Sequence, residues 1–495
     1  MEAGIKTQIQ ENGIVVLTKE AAAEMSESSL WNEDLRPLTQ KEHSWGTKSF
    51  SYLWVGMCFC IPSYIMAGGF ITLGMNWWQS LMTMFLGNVI ILIPLLLNAD
   101  AGCRFGIPYP AFARIWFGGR GSHIPTMIRG VVGAGWFGVN TWVGAIAIDG
   151  LFSAVFDVWR GVNHHTMILF FIFLTANVYI GSMGVESIRK LMKVTAPTVV
   201  VSTIILLIWA VSMGKGFGPV FAQRGTLTNT TDFLKVFFPC LTGVISFWST
   251  VSLNIPDFSR YAVSHKAHVK GQMFALPLSM TAIAMVAICV TSVTVMLYGE
   301  AIWSLDALLL KFPKPIIFLG SLVIALVSLA VNIAANLVAP ARAVENLHPR
   351  RLSFAAGAMV TGMLAILMQP WQILDSFGNL VYYFLNFLGA LIGPLNGISL
   401  ADHWIVRKRR IDLKGLYDPE GRYNYQHGFN RHAIVALAFG IFIPLAGYVV
   451  PPLSFLSANP FIFGLFISGA VYVRLMKNDA SLISAEHYDK ITEYR

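Results

Sequence analysis

The sequence predicts an all-α polytopic membrane protein with twelve transmembrane helices, and three observations carry that prediction. Hydrophobic residues make up 55% of the 495 and charged residues only 12%, against about 25% charged in soluble domains. Ten runs hold no Asp, Glu, Lys or Arg: 49–99, 130–148, 161–185, 194–214, 236–256, 271–299, 315–341, 352–374, 376–401 and 432–473. A spanning helix needs about 20 apolar residues, so the first and last runs hold two helices each and the other eight hold one.

Residues 1–47 read as a cytoplasmic N-terminal tail, 48–476 as a single transmembrane domain and 477–495 as a cytoplasmic C-terminal tail. The longest apolar patch before the first run is GIVVL, Gly13–Leu17, too short for the core of a signal peptide. With the N-terminus inside, twenty Lys and Arg fall in the inner loops and six in the outer loops, which places both termini in the cytoplasm. The net charge of +9 is then topological charge at helix ends rather than a nucleic-acid surface. The RKRR run, Arg407–Arg410, reads as an anchor for anionic lipid head groups. Five cysteines lie in or beside apolar runs without a C-x-x-C pair, so no disulfide or metal framework is expected.

The first span carries CFCIPSYIMAGG, Cys58–Gly69, with a proline, a serine and two glycines at mid-depth. This is either a proline kink or a discontinuous helix, and irregular backbone at membrane depth needs protein or a water-filled cavity to cover it. The sixth span, GVISFWSTVSLNIPDFSR, Gly243–Arg260, is interrupted in a similar way. Interrupted helices five apart suggest inverted repeats of helices 1–5 and 6–10, with 11 and 12 added.

The third span holds WFGVNTW, 136–142. Trp136 and Asn140 share a helical face, while Trp142 points away. A flat indole beside an amide suits a planar heterocycle with N–H and C=O groups; the other reading is an interfacial Trp and an Asn bonded across helices. In the eighth span Asn332 and Asn336 form an i,i+4 pair. With Asn140 and Trp248 they make one candidate polar pocket, or else they are interhelical glue. Asp100, Asp149, Asp257, Asp402 and His403 sit at run edges and read as solvated helix-end charges rather than as a proton relay. No nucleophile elbow, phosphate loop or metal constellation is visible, so an enzyme is not expected, nor a cofactor or bound metal.

WFGVNTW, the Trp248 helix ending in IPDFSR, NIAANLVAPA, and GPLNGISLADHWIVRKRR followed by GLYDPEGRYNY together resemble the nucleobase–cation symporter-1 family. The similarity runs from about Leu35 to the last helix. It implies a LeuT-like five-plus-five inverted repeat with two C-terminal helices and alternating access. The cargo it implies is a planar ring compound such as allantoin, uracil or a hydantoin. Carried over by residue, it implies that Trp136 stacks on the ring, Trp248 and Phe247 close on it, and Asn336 and Asn140 hydrogen-bond it. Cys60 lies in the helix break, where relatives often have a polar residue, and Asn140 stands where glutamine is common. Tyr382 and Tyr383 are implied as outer gate residues. In sodium-coupled relatives two adjacent hydroxyl side chains of helix 8 bind the ion; Ala330 and Val331 stand at the matching positions. The carbonyls of Gly56, Phe59 and Val327 alone make a thin shell, which favours H+ over Na+ as the coupling ion.

The function expected from the sequence is therefore import of a planar nitrogen heterocycle by cation symport across the plasma (inner) membrane. The partners are a small-molecule substrate and the lipid bilayer, with no nucleic acid. The alternatives are a transporter of the same fold for thiamine or an amino acid, and a membrane sensor or channel.

Overall fold

The structure is a computed structural model that describes residues 6–183, 185–347 and 351–494, with the side chains of 185–194, 196 and 346 outside the description. Arg350 and the side chains of Arg189, Lys190 and Lys193, all counted as inner-loop charges, lie outside the described residues. Among the described residues, seven helices are long and apolar enough to cross a bilayer. They are Trp77–Phe105, His123–Val155, His165–Ser182, Thr230–Asn254, His265–Tyr298, Lys314–Glu345 and Asn379–Val406. Two bent pairs, Thr47–Cys58 with Ile61–Thr72 and Arg431–Ala446 with Pro451–Ser457, raise the number to nine. Three shorter apolar helices, Pro197–Met213, Phe354–Leu367 and Pro460–Met476, are also present. Every charge-free run falls on one or two of these elements.

The first span is discontinuous rather than kinked. Helix 47–58 ends at Phe59, Cys60 is extended (φ −141°, ψ 161°), and a second helix starts at Ile61, bent by 59° from the first. Pro62 sits in the first turn of that second helix, where its missing N–H would have had no partner in any case. The amide of Cys60 bonds to the Cys58 carbonyl at 3.0 Å, away from the Gly56 carbonyl that an unbroken helix would offer. The sixth span breaks at Trp248 (φ −98°, ψ 1°), between Thr230–Phe247 and Ser249–Asn254; Pro256 instead opens a one-turn helix at its end. Three π-helical turns interrupt other spans, at Asn332–Leu337, Asn379–Leu385 and Ala401–Val406.

Helix 123–155 runs through the middle, against helices 314–331, 338–347 and 354–367. It approaches helix 338–347 closely at Gly133, where a Cβ would stand 2.6 Å from Cγ of Pro340. Helix 265–298 packs on helices 47–58, 61–72 and 77–105.

The polar tails are folded onto the helices. GIVVL contributes the strand Ile14–Leu17, which pairs with Gln8–Glu11 across an Asn12–Gly13 turn with positive φ at both residues (52° and 83°), as two-residue hairpins favour. Thr492–Tyr494 adds a parallel strand to the same sheet, so the two ends of the chain are hydrogen-bonded to each other. Further along, the Arg36 guanidinium grips Glu42 at 2.8 and 2.9 Å and holds its carboxyl down to about 2.

The acidic residues at run edges depart from expectation. Asp100, Asp402 and His403 are at most 1% exposed. Asp100 accepts from Arg409 at 2.7 and 2.9 Å and contacts Nε2 of His403 at 2.8 Å. Asp402 accepts from Arg407 at 3.0 Å and from the Tyr472 hydroxyl at 2.7 Å. Arg407 in turn donates to the Ser481 carbonyl and to the Tyr425 hydroxyl. Arg407 and Arg409 are therefore internal ties between helix 379–406, helix 77–105 and the C-terminal segment, and not lipid anchors. Asp149 is likewise engaged, accepting from Trp159 at 2.8 Å and Thr166 at 2.9 Å. Asp257 accepts the Tyr109 amide at 2.8 Å, at the start of helix Tyr109–Phe117.

Removing one partner of a buried pair leaves the other charge stranded. Asp402→Asn is expected to destabilise the protein by about 3–5 kcal/mol, read as a lower midpoint of thermal unfolding in detergent; an unchanged midpoint would show that the Arg407 pair carries no stability.

Candidate functional site

The helix breaks surround one cavity of about 430 Å³, within the size range of small-molecule sites. Helix 47–58 and the break after it contribute Gly56 and Cys60, helix 123–155 contributes Trp136 and Asn140, and the Trp248 break contributes Phe247 and Trp248 itself. Helix 314–345 contributes Val331 and, from its π-helical turn, Asn336. A π-turn rotates the side chains beyond it relative to a regular helix. Here the two asparagines stay bonded to each other, with only Asn336 on the cavity wall.

Asn336 is half-buried on the cavity wall, whereas Asn332 is fully buried behind it. Asn332 donates to the Phe137 carbonyl at 3.1 Å and to the Thr141 hydroxyl at 2.9 Å, and its Oδ1 accepts from Asn336 at 3.1 Å. Asn332 therefore bonds helix 314–345 to helix 123–155 and positions Asn336; it is not part of the pocket surface expected for it. Asn140 lines the cavity and bonds along its own helix rather than across helices. Its amide nitrogen donates to the carbonyl of Trp136, one turn back on its own helix, at 3.1 Å.

The aromatic residues form a connected series of edge-to-face contacts across four helices. Trp54 meets Trp248 at 5.2 Å and 79°, Trp248 meets Phe247 at 5.0 Å and 77°, and Phe247 meets Trp136 at 5.1 Å and 74°. Trp136 then meets Phe384 at 5.4 Å and 79°. Each such contact contributes about 0.5–1.5 kcal/mol beyond area burial. Trp142 faces away, against Phe170 and Trp371.

Three cavity-lining residues carry buried polar atoms without a hydrogen-bond partner: Nε1 of Trp248, Oδ1 of Asn254 and Nε of Arg129. Arg129 and Asn254 were not singled out from the sequence. Arg129 was counted only as an inner-loop charge, and the signal for Asn254 lies in the SLNIPD stretch already noted as interrupted. Arg129 and Asp257 line the end of the cavity nearest the arginine-rich loops, with Pro340 beside them. Among the described residues Arg129 makes no ion pair.

The remaining expected residues are elsewhere. Val327 lines a second cavity of about 470 Å³, together with Cys60 and otherwise almost wholly apolar side chains. Ala330 is fully buried and Phe59 packs on the core. Tyr382 is half-buried and Tyr383 is 73% exposed; neither lines the cavity.

Broken helices around a cavity lined by rings and amides are the arrangement of an integral membrane transporter, and comparison with known proteins gives its family. Residues 37–467 match the family described as permease for cytosine/purines, uracil, thiamine, allantoin. The chain belongs to this family, the nucleobase–cation symporter-1 permeases, and its relatives are transporters rather than enzymes. It is 38% identical to the purine-uracil permease NCS1 of Arabidopsis thaliana over 93% of this chain and 80% of that one. It is 33% identical to the allantoin permease of Bacillus subtilis (strain 168) over 92% and 95%. Its fold matches the inward-facing conformation of Mhp1 with a TM-score of 0.78 at 24% identity, covering 94% of this chain and 99% of that one. Mhp1, a nucleobase-cation-symport-1 family transporter, in a closed conformation with bromovinylhydantoin bound, matches at 0.75 with the same identity and coverage.

Two substitutions separate wall from scaffold. Asn336→Ala is expected to weaken substrate binding by about 1–3 kcal/mol, roughly 5–150-fold in Kd, with folding intact. Asn332→Ala is expected to lower the unfolding midpoint as well, because it opens a buried network. Binding measured alongside thermal unfolding distinguishes them, and equal effects of both on both readouts would refute the division. Trp136→Ala is expected to cost about 1–3 kcal/mol of stacking, read as the same loss of affinity.

Proposed function

We propose that the protein is a secondary active transporter that imports a planar nitrogen heterocycle, of the nucleobase, allantoin or hydantoin type, by cation symport with alternating access. One observation carries the reading. The cavity joins indole and phenyl rings to the amide groups of Asn140, Asn254 and Asn336, which offer both hydrogen-bonding senses. A flat ring with alternating N–H and C=O groups satisfies both requirements at once. Trp136 supplies the stacking surface, Trp248 and Phe247 close the far side, and Asn140 and Asn336 bond the ring edge. Tyr382 and Tyr383 are assigned to the outer gate on family resemblance alone.

The architecture proposed is twelve spans arranged as two inverted repeats of five plus two further helices. The chain would sit in the plasma (inner) membrane with tails 1–47 and 477–495 in the cytoplasm and 48–476 in the bilayer. The cavity end at Arg129 and Asp257 lies on the arginine-rich side, so the conformation described would open inward.

Coupling to protons rather than sodium is favoured. Ala330 and Val331 offer no side-chain oxygen, and the space beside Cys60 and Val327 is apolar. A desolvated cation needs several oxygens around it; Gly56, Phe59 and Val327 would give three carbonyls at most.

The test is uptake of radiolabelled allantoin, uracil, cytosine, hypoxanthine and hydantoin into proteoliposomes, with thiamine and an amino-acid mixture as controls. The expected result is saturable uptake of a ring compound, driven by an inward proton gradient and unchanged when sodium is replaced by choline. A steep sodium requirement at fixed pH would overturn the coupling assignment. Uptake of thiamine or amino acids alone would overturn the substrate class.

A further inference from the structure

A hydrogen-bonded series leads from the inner surface to the cavity wall. Its first member, His265, is 56% exposed at the start of helix 265–298. Nδ1 of His265 lies 3.1 Å from Nε2 of His268 and 3.4 Å from Oδ1 of Asp100. His268 and Gln272, one turn apart and both fully buried, come next: Nε2 of Gln272 is 3.2 Å from Nδ1 of His268. Oε1 of Gln272 then accepts from the indole N–H of Trp54 at 3.2 Å. Trp54, fully buried, meets Trp248 edge to face. Trp248 and the Trp54 helix, through Leu53, Gly56 and Met57, line the cavity.

The donors and acceptors fix a protonation state. Because Trp54 donates to Oε1, the NH2 group of Gln272 faces His268, and Nδ1 of His268 must accept. His268 is then neutral with its proton on Nε2, and donates it to Nδ1 of His265. A further proton upsets this order. Placed on Nδ1 of His268, it confronts the amide NH2 with a second donor. The amide must turn over, presenting Oε1 to His268 and NH2 to Trp54, and the Trp54 N–H loses its acceptor.

We infer that the His265–His268 pair beside Asp100 is the proton-binding site of this transporter, and that Gln272 passes its charge state to Trp54, Trp248 and the cavity wall. This deepens the proton-symport reading above and rests on it. The proton enters from solvent at His265, beside Asp100; because the Nε2 of His268 that faces His265 already carries a hydrogen, the added proton reaches His268 only when its ring leaves the bond to Gln272 and offers the bare Nδ1 to His265. Asp100 supplies a fixed negative charge, itself held by Arg409 and His403. Among the described residues, the charged group that contacts the pair is Asp100 on helix 77–105, which in turn holds His403 and Arg409 and acts on the nearby Cys103 thiol. Helix 47–58 presents the rings of Phe50 and Trp54, neither of which gains a proton in the range where histidine titrates. Substrate in the cavity presses on the same Trp248 that Trp54 supports, so proton and substrate act on one element, as linkage between two sites requires.

The experiment labels the full-length protein with 5-fluorotryptophan in lipid nanodiscs, assigns the Trp54 resonance with Trp54→Phe, and titrates from about pH 8 to about pH 5. The Trp54 resonance is expected to shift through one transition that is lost in His268→Gln. Gln272→Met, which keeps the histidines but cuts the link, should also leave Trp54 unresponsive. In proteoliposomes, His268→Gln should keep counterflow of radiolabelled uracil or allantoin yet lose accumulation driven by a proton gradient. A Trp54 resonance that stays fixed across the range, or a transition that survives in His268→Gln, overturns the site. A normal transition in a wild-type protein whose uptake ignores the proton gradient overturns instead the proton-symport reading and the coupling role with it.

Discussion

No backbone N–H or C=O is left unpaired in hydrocarbon without a cost of several kcal/mol, and the rest of this structure follows from that constraint. A chain with so few charges in its spans must form helices nearly everywhere. Wherever a helix breaks, neighbouring protein or a cavity has to receive the freed groups. The break at Phe59–Cys60, the break at Trp248 and the π-turn at Asn332–Leu337 all open on one cavity. The π-turn at Asn379–Leu385 carries Phe384, which buttresses Trp136 from behind. Irregularity that would be destabilising when scattered is concentrated where a ligand or water can use it.

At the arginine-rich end a second kind of constraint operates. Asp100 and Asp402 are almost wholly removed from solvent, and each is surrounded by donors from separate segments. Buried carboxylates of this kind tolerate little displacement, because the desolvation cost is offset only while every bond holds. They hold helix 77–105, helix 379–406 and the C-terminal segment as one body. Helix 47–58, by contrast, meets helix 265–298 through aromatic packing, a close approach at Gly271 and the neutral Trp54–Gln272 and Ser51–Gly271 hydrogen bonds. The two sets of contacts thus differ in chemistry, buried ion pairs in one and rings with neutral hydrogen bonds in the other.

Much of this was legible in the sequence because hydrophobic runs report directly on bilayer thickness. The ten charge-free runs fall on the observed elements, and the proline and small residues of Cys58–Gly69 mark a true discontinuity. Trp136, Asn140, Trp248 and Asn336 meet at one cavity because helix periodicity and the spacing of the breaks place them at similar depth. What failed did so for identifiable reasons. Asp100, Asp402 and His403 were read as solvated because they end apolar runs, and a run edge does not say whether water or protein lies beyond it. Asn332 does pair with Asn336, but composition gives no sign that it is turned inward onto helix 123–155 and only Asn336 reaches the cavity. The tails were read as polar extensions, although the Asn12–Gly13 turn between two alternating stretches is a hairpin signature.

The edge-to-face series from Trp54 to Phe384 has a mechanical consequence. Rings that meet at steep angles can tilt past one another with little loss of contact, unlike interlocked aliphatic side chains, which must climb out of their neighbours' grooves. Four helices therefore touch around the cavity through ring edges and faces that belong to the buried core, and a change in their angles is a change in how those rings tilt. A molecule that lies on one ring travels with that ring. A flat, rigid molecule long enough to rest on two of them fixes their mutual tilt, and works as a wedge in the bearing rather than as cargo.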